Sequence, residues 1–264
     1  MYYVIQENLF KEFHYNTLVD YLKRYNLEYE TVPFRPFVDV LEVKTERKDV
    51  WFFGSVNAAR MAVKNDWNPG SMYNENHDFE VYGPKYGTNL LNFPYYIAAA
   101  DEIDFSKHPF CDIPYAFFAR PSKDSKAFSG QLFTKDSWKE YIDELKANSS
   151  LGHLTGDTKV LIAPLRSNIQ QELRCWIVDG KIVTISQYKI GSRVVYQNQD
   201  NNEEVTIFVN KMLKIYQPAR AFVMDVCLSD NDYKIVEINC INCSGFYDGD
   251  MSKLIQSLEE AFSI

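Results

Sequence analysis

No run of the 264-residue chain approaches 18 consecutive apolar residues, so no membrane-spanning helix is expected. Met1-Tyr2-Tyr3-Val4-Ile5-Gln6-Glu7 has no basic lead and reaches an acid at once, so no signal peptide is expected. Cysteine is scarce and odd in number, at positions 111, 175, 227, 240 and 243. A chain this long does not depend on staples, so reduced thiols in a cytoplasm are expected, the host's if the source is viral. His14, His77, His108 and His153 show no ligand spacing. Cys240-Ile241-Asn242-Cys243 therefore lacks the two further ligands that zinc would need, and reads as packing or substrate lining beside Asn239. The Gly-x4-Gly-Lys-Ser/Thr spacing of a P-loop is missing, and so is Gly-x-Ser-x-Gly. Basic residues are outnumbered, 28 against 36 acidic, for a net charge of −8, which argues against nucleic acid as a partner.

Hydrophobic residues at 46% and charged residues at 24% are ordinary globular composition, and the length suits one large domain or two intimate ones. The first third alternates strand and helix, as in an α/β layer. Tyr2 to Ile5 is a short apolar run, and Asn16-Thr17 can cap a helix whose face carries Leu18, Leu22 and Tyr25. Trp51-Phe52-Phe53 runs into Gly54-Ser55 and a helix over 57–64. Residues 65–95 read as irregular, and 93–100 as helical. A boundary is placed near residue 108, giving regions 1–108 and 109–264. Beyond it come a strand over Tyr115–Arg120, a helix over 136–147, a strand over Lys159–Ala163, and two hairpins.

The first hairpin turns on Asp179-Gly180, the pairing that favours a type I′ turn. A two-residue turn sets Val178 opposite Lys181, Arg174 opposite Ile185 and Glu172 opposite Gln187. Period-2 alternation then puts Leu173, Cys175, Ile177, Ile182, Thr184 and Tyr188 on one face. Glu172, Arg174, Trp176, Val183, Gln187 and Lys189 take the other, either a chemical face or a solvated one with a salt bridge. The second hairpin joins Ala221–Leu228 to Lys234–Asn239. If Phe222, Met224, Val226 and Leu228 share a core with Val236 and Ile238, Leu228 faces Lys234 across a five-residue connection. Asp225 then faces Glu237 within about 5–6 Å, and Asn239 lies two residues on. Two acids this close call for a cation, and hard oxygen donors with room for water and phosphate suit Mg²⁺. Upstream, Arg120-Pro121-Ser122-Lys123-Asp124-Ser125-Lys126-Ala127-Phe128-Ser129-Gly130 leaves a strand directly; it can hold a polyphosphate or be a solvated loop.

In this order the pieces resemble the C-terminal two-thirds of an ATP-grasp ligase, and most of all the short phage and bacterial ATP-grasp proteins related to peptide ligases. The residues that carry the resemblance are Arg120-Pro121, Asp124-Ser125-Lys126-Ala127-Phe128-Ser129-Gly130, Glu172-Leu173-Arg174-Cys175-Trp176, Asp225-Val226 and Glu237-Ile238-Asn239, with Gly54-Ser55 and Trp67-Asn68-Pro69-Gly70 matching more loosely. The resemblance implies an α+β fold of two subdomains clasping ATP, preceded by an α/β region. It implies ATP held by Arg120, Lys123, Lys126 and Glu172, with the strand at Ile162-Ala163-Pro164 against the adenine, and Mg²⁺ held by Asp225, Glu237 and Asn239. Arg174, with Lys126 and Lys189, would neutralise an acyl phosphate. Many ATP-grasp enzymes have Lys where Arg120 stands. The implied activity is ADP-forming ligation of a small-molecule or peptide carboxylate to an amine, which needs positioning and charge rather than a nucleophilic side chain. A nucleotide-binding module without ligase activity, a kinase-like phosphotransferase and an RNA-associated factor are the alternatives.

Overall fold

The computed structural model describes residues 1–7, 12–33, 41–106, 116–123, 128–147 and 156–263. A three-stranded parallel sheet opens the chain, in the order β2-β1-β3, from β1 (Tyr2–Gln6), β2 (Tyr29–Val32) and β3 (Val50–Phe53). Its strands are apolar on both faces because both are covered. Tyr3, Ile5, Trp51 and Phe53 pack on Leu18 and Leu22 of helix α1 (Glu12–Arg24) and on Leu254, Leu258 and Phe262 of helix α6 (Met251–Phe262). Val4, Val50 and Phe52 pack on Ala58, Ala59 and Ala62 of helix α2 (Val56–Ala62). α1 begins at Glu12, ahead of the expected cap at Asn16-Thr17, and Tyr25 lies beyond its end, exposed, where Asn26 turns the chain at φ 52°.

Two expectations for the next stretch are overturned. Residues 65–95 are not all irregular: Phe79–Tyr86 forms helix α3, burying Phe79, Tyr82, Gly83 and Tyr86. That i, i+3, i+4, i+7 stripe is a helical signal, masked by Gly83-Pro84, which reads as a turn. Residues 93–100 are not helical: Pro94 holds the preceding residue out of helical conformation, and Tyr96–Ala99 forms strand β4. β4 is an edge of a four-stranded antiparallel sheet, β4-β7-β5-β6, with β5 (Phe117–Pro121), β6 (Gln131–Phe133) and β7 (Lys159–Pro164). That sheet therefore draws strands from both sides of residue 108. Helix α4 (Lys135–Ala147) covers one face, setting Trp138 and Ile142 against Phe117, Phe133, Val160 and Ile162.

The largest sheet is antiparallel, β10-β9-β8-β11-β12, from β8 (Ile169–Val178), β9 (Lys181–Ile190), β10 (Arg193–Asn198), β11 (Ala221–Ser229) and β12 (Asp232–Cys240). One face is core along its length: Leu173, Cys175, Ile177, Phe222, Met224 and Val226 meet Val205, Val209 and Met212 of helix α5 (Glu203–Leu213) and the buried side of α3. The other face divides. Trp176, Val178, Ala221 and Val223 lie in one cluster with α6 and the parallel sheet. Further along, the same face carries Arg174, Glu172 and Asp225.

Candidate functional site

Two β-bulges decide which side chains share this face. The Asp179-Gly180 turn has positive φ at both residues, and Val178 pairs with Lys181 as expected. The register then slips between Ile177 and Trp176 and again between Leu173 and Glu172. Arg174 consequently faces Ser186, not Ile185, and Glu172 faces Lys189, not Gln187. Each bulge moves β9's alternation by one residue. Ile185 takes the core place expected of Thr184, and Tyr188, expected in the core, swings to Glu172. In the second hairpin Asp225 pairs with Glu237 as expected, by a different route. The connection is the tight turn Asp230-Asn231, both at positive φ, and Leu228 pairs with Tyr233, not Lys234. A bulge at Val236 restores the register, so Ile235 fills the core position expected of Val236.

Asp225 is 1% exposed and closed bidentately by Arg174, whose Nε donates to Oδ1 at 2.8 Å and Nη2 to Oδ2 at 2.7 Å. Burial opposes the charge on Arg174, but the carboxylate against it prevails and holds the guanidinium above its ordinary pKa. Its Nη1 donates to the Gly245 carbonyl at 3.1 Å, and its plane lies 4.6 Å from the Tyr247 ring centre. Tyr247, at φ 49°, is stacked between Tyr188 and Tyr196 at 5.1 and 5.2 Å. Asn239 Nδ2 donates to Glu237 Oε1 at 2.8 Å and Asp225 Oδ2 at 3.3 Å, bridging the two acids. Glu237 Oε2 accepts from Arg120 Nη1 at 2.9 Å, across from the smaller sheet. Glu172 accepts from the Tyr188 hydroxyl at 2.8 Å and from Lys189 Nζ at 2.6 Å.

A cleft of about 580 Å³ lies between the two antiparallel sheets. Arg120, Lys123, Glu172, Lys189 and Glu237 line its charged part, and Leu91, Phe118, Pro164, Leu165 and Ile169 its apolar part. Ile162 and Ala163 are buried behind this wall; Pro164 and Leu165 present the surface. Lys126 lies outside the described residues. Arg174, Asp225 and Asn239 sit behind Glu237 rather than in the cleft wall. Among the described residues no three His, Cys, Asp or Glu side chains are grouped to hold a metal ion, which agrees with the reading of Cys240 and Cys243. Cys240 is buried with its thiol on Asn242 Oδ1 at 3.4 Å. Asn242 itself ties β3 to the end of β12, donating to the Phe52 carbonyl at 2.6 Å and accepting from the Met72 N–H at 2.7 Å.

The bulges conceal Tyr188 from period-2 reasoning, and no local pattern marks Tyr247 or Gly245 as neighbours of Arg174. No helix among the described residues is long and apolar enough to cross a membrane.

Comparison with known proteins places this geometry. No curated protein matches the chain by sequence. Among solved structures, the RimK domain protein ATP-grasp from Sphaerobacter thermophilus DSM 20745 is similar at a TM-score of 0.63 and 9% identity, over 92% of each chain. D-cycloserine synthetase DcsG is similar at 0.64 and 11% identity, over 98% of each chain. D-alanine–D-alanine ligase from Bacillus anthracis, complexed with ATP, is similar at 0.59 and 14% identity, over 99% of this chain and 97% of that one. These likenesses establish the ATP-grasp fold. A family model described as an ATP-grasp domain, family 3 of its clade, matches residues 34–258, and the chain belongs to that ATP-grasp family.

Proposed function

We propose that the protein is an ATP-dependent carboxylate–amine ligase of the peptide-ligase kind, working through an acyl phosphate with Mg-ATP in the cleft between the two antiparallel sheets. The observation that carries this reading is the placement of Glu237, a member of the bridged Asp225–Asn239–Glu237 set, on the cleft wall beside Arg120. Two carboxylates and an amide, all oxygen donors, fit Mg²⁺ by chemistry. Each acid already meets a guanidinium, so the pair is held in place against a positive charge. Glu237 and Asn239 are the ligands the cleft can reach, with Asp225 behind them. When bound, the ion would supply charge to bridge and neutralise phosphate oxygens.

The remaining roles fall to the chain's own side chains. Arg120 and Lys123, with Lys126, bind the phosphates. Lys189, held by Glu172, sets a cation where charge develops on the transferred group. Arg174 orients Asp225 and, through Gly245, the loop carrying Tyr247. The water-poor wall of Phe118, Pro164 and Leu165 suits the base. The region of residues 1–108 and the loop after Asn239 would select the carboxylate and the amine.

The test is ADP formation from Mg-ATP with a panel of amino acids and peptides. A ligase releases ADP only when both a carboxylate and an amine are present. Release with one acceptor alone points to a phosphotransferase, and nucleotide binding with no release under any pairing to a binding module.

A further inference from the structure

The apolar part of the cleft contains one polar side chain that nothing above employs. The Leu91 N–H donates to the Ile235 carbonyl at 2.8 Å, which lays the segment around Leu91 along β12. From the other side Arg166, just past the end of β7, donates Nε to the Leu91 carbonyl at 3.2 Å and Nη2 to the Phe93 carbonyl. Arg166 thus clasps the backbone on both sides of Asn92. Asn92 lines the cleft and is only 6% exposed, and among the described residues its side-chain amide has no hydrogen-bond partner. Buried amides are almost always satisfied, so one held this firmly without a partner points to a ligand.

The strand register says which part of a nucleotide it meets. β5 and β7 pair Arg120 with Leu161 and Phe118 with Ala163. Pro164 follows three residues after Leu161, roughly 10 Å along the strand from the Arg120 level at about 3.3 Å per residue. The phosphate cations therefore lie at one end of the cleft, and Asn92 stands with Pro164 and Leu165 at the other.

We infer that Asn92 reads the nucleobase, its Oδ1 accepting from the exocyclic amine of adenine and its Nδ2 donating to the adjacent ring nitrogen. An asparagine amide carries this donor–acceptor pair at the matching spacing. Arg166 is the positioning residue, fixing the segment from which the amide projects. The inference rests on the reading of the cleft as an ATP site and extends it to base recognition by a residue ahead of the boundary at 108.

Binding of ATP, of purine riboside triphosphate, which lacks the 6-amino group, and of inorganic tripolyphosphate is measured by calorimetry with Mg²⁺ on the full chain. In the wild type, ATP is expected to bind roughly 5- to 100-fold more tightly than the analogue, the range of one bidentate base contact. In Asn92→Ala that ratio should fall to near one, with tripolyphosphate affinity unchanged. Asn92→Asp, which keeps the side chain's shape but replaces the donor, should also lose the preference, and serves if the alanine variant does not fold. A folded variant of either kind that keeps the wild-type ratio overturns the inference while leaving the ATP site standing. A wild type that binds ATP no more tightly than tripolyphosphate overturns the nucleotide reading of the cleft, and this inference with it.

Discussion

Asp225 and Glu237 face each other across β11 and β12, and each meets an arginine from a different element, Arg174 of β8 and Arg120 of β5. One acid is sealed and the other opens on the cleft. Glu237→Gln removes the accessible charge and keeps the shape, so Mg-dependent ATP turnover should fall by on the order of 100-fold, as for loss of one preorganised charge-stabilising group. The melting temperature should shift by no more than a few degrees, because Glu237 is partly exposed. Turnover at the wild-type rate would remove Glu237 from the metal site.

The sealed half behaves differently. Asp225→Ala leaves Arg174 buried without its counter-charge, a loss of about 3–5 kcal/mol for a buried pair broken on one side. Arg174→Lys keeps the charge but forfeits the bidentate geometry and the donation to Gly245, so it should lower both stability and product formation. ATP affinity should change far less, since Arg174 does not line the cleft. Denaturant unfolding, calorimetric ATP binding and ADP release on one preparation separate these effects. Wild-type stability in both variants would contradict the pairing.

The residue pattern makes the large sheet legible because alternation and two turn signals, Asp179-Gly180 and the opposed apolar runs, specify strands locally. It sets Asp225 opposite Glu237, although by a longer loop and no bulge where the chain uses a tight turn and a bulge at Val236. Bulges are what period-2 reasoning misses, since no residue type requires them at Val183 or Tyr188. That is why alternation alone sends Tyr188 to the core and deprives Glu172 of its partner Lys189. α3 is hidden by Gly83-Pro84, and β4 by a short apolar run that suits either helix or strand. Tyr247 and Asn92 reach the site by tertiary contacts alone, with no spacing to betray them.

Nucleotide binding should raise thermal stability, because a ligand that binds only the folded chain stabilises it. Arg120→Ala should reduce the shift given by Mg-ATP most, as Arg120 lines the cleft and is held on Glu237. Lys126→Ala should reduce it more than Lys123→Ala, by its place in the Asp-Ser-Lys-x-Phe-x-Gly pattern. Thermal-shift titrations of the three variants give the order. Shifts equal to wild type in all three would make the Arg120–Gly130 segment a solvated loop.

Asp200 fixes the bulge nearest the first turn, and this gives a pH dependence. Its carboxylate accepts from the Thr184 hydroxyl and the Ile185 N–H, both at 2.7 Å, and pairs with Lys253 of α6. Burial pushes its pKa up, but the bonds from Lys253, Ile185 and Thr184 outweigh burial and hold it below the usual carboxylate range. A carboxylate depressed in the folded state contributes stability that is fully present above its unfolded pKa of about 3.9. That contribution is lost as pH falls through the lower folded value. Asp200→Asn should therefore melt below wild type at neutral pH, and the gap should close as the pH drops from about 5 toward 2. The same substitution loosens the β9 strand that presents Tyr188 and Lys189 to Glu172, so the rate of ADP formation should fall with it. Melting curves of both proteins across that range decide the matter: a gap that stays constant or widens toward acid would show that Asp200 is not held as the depressed, charged anchor of the bulge.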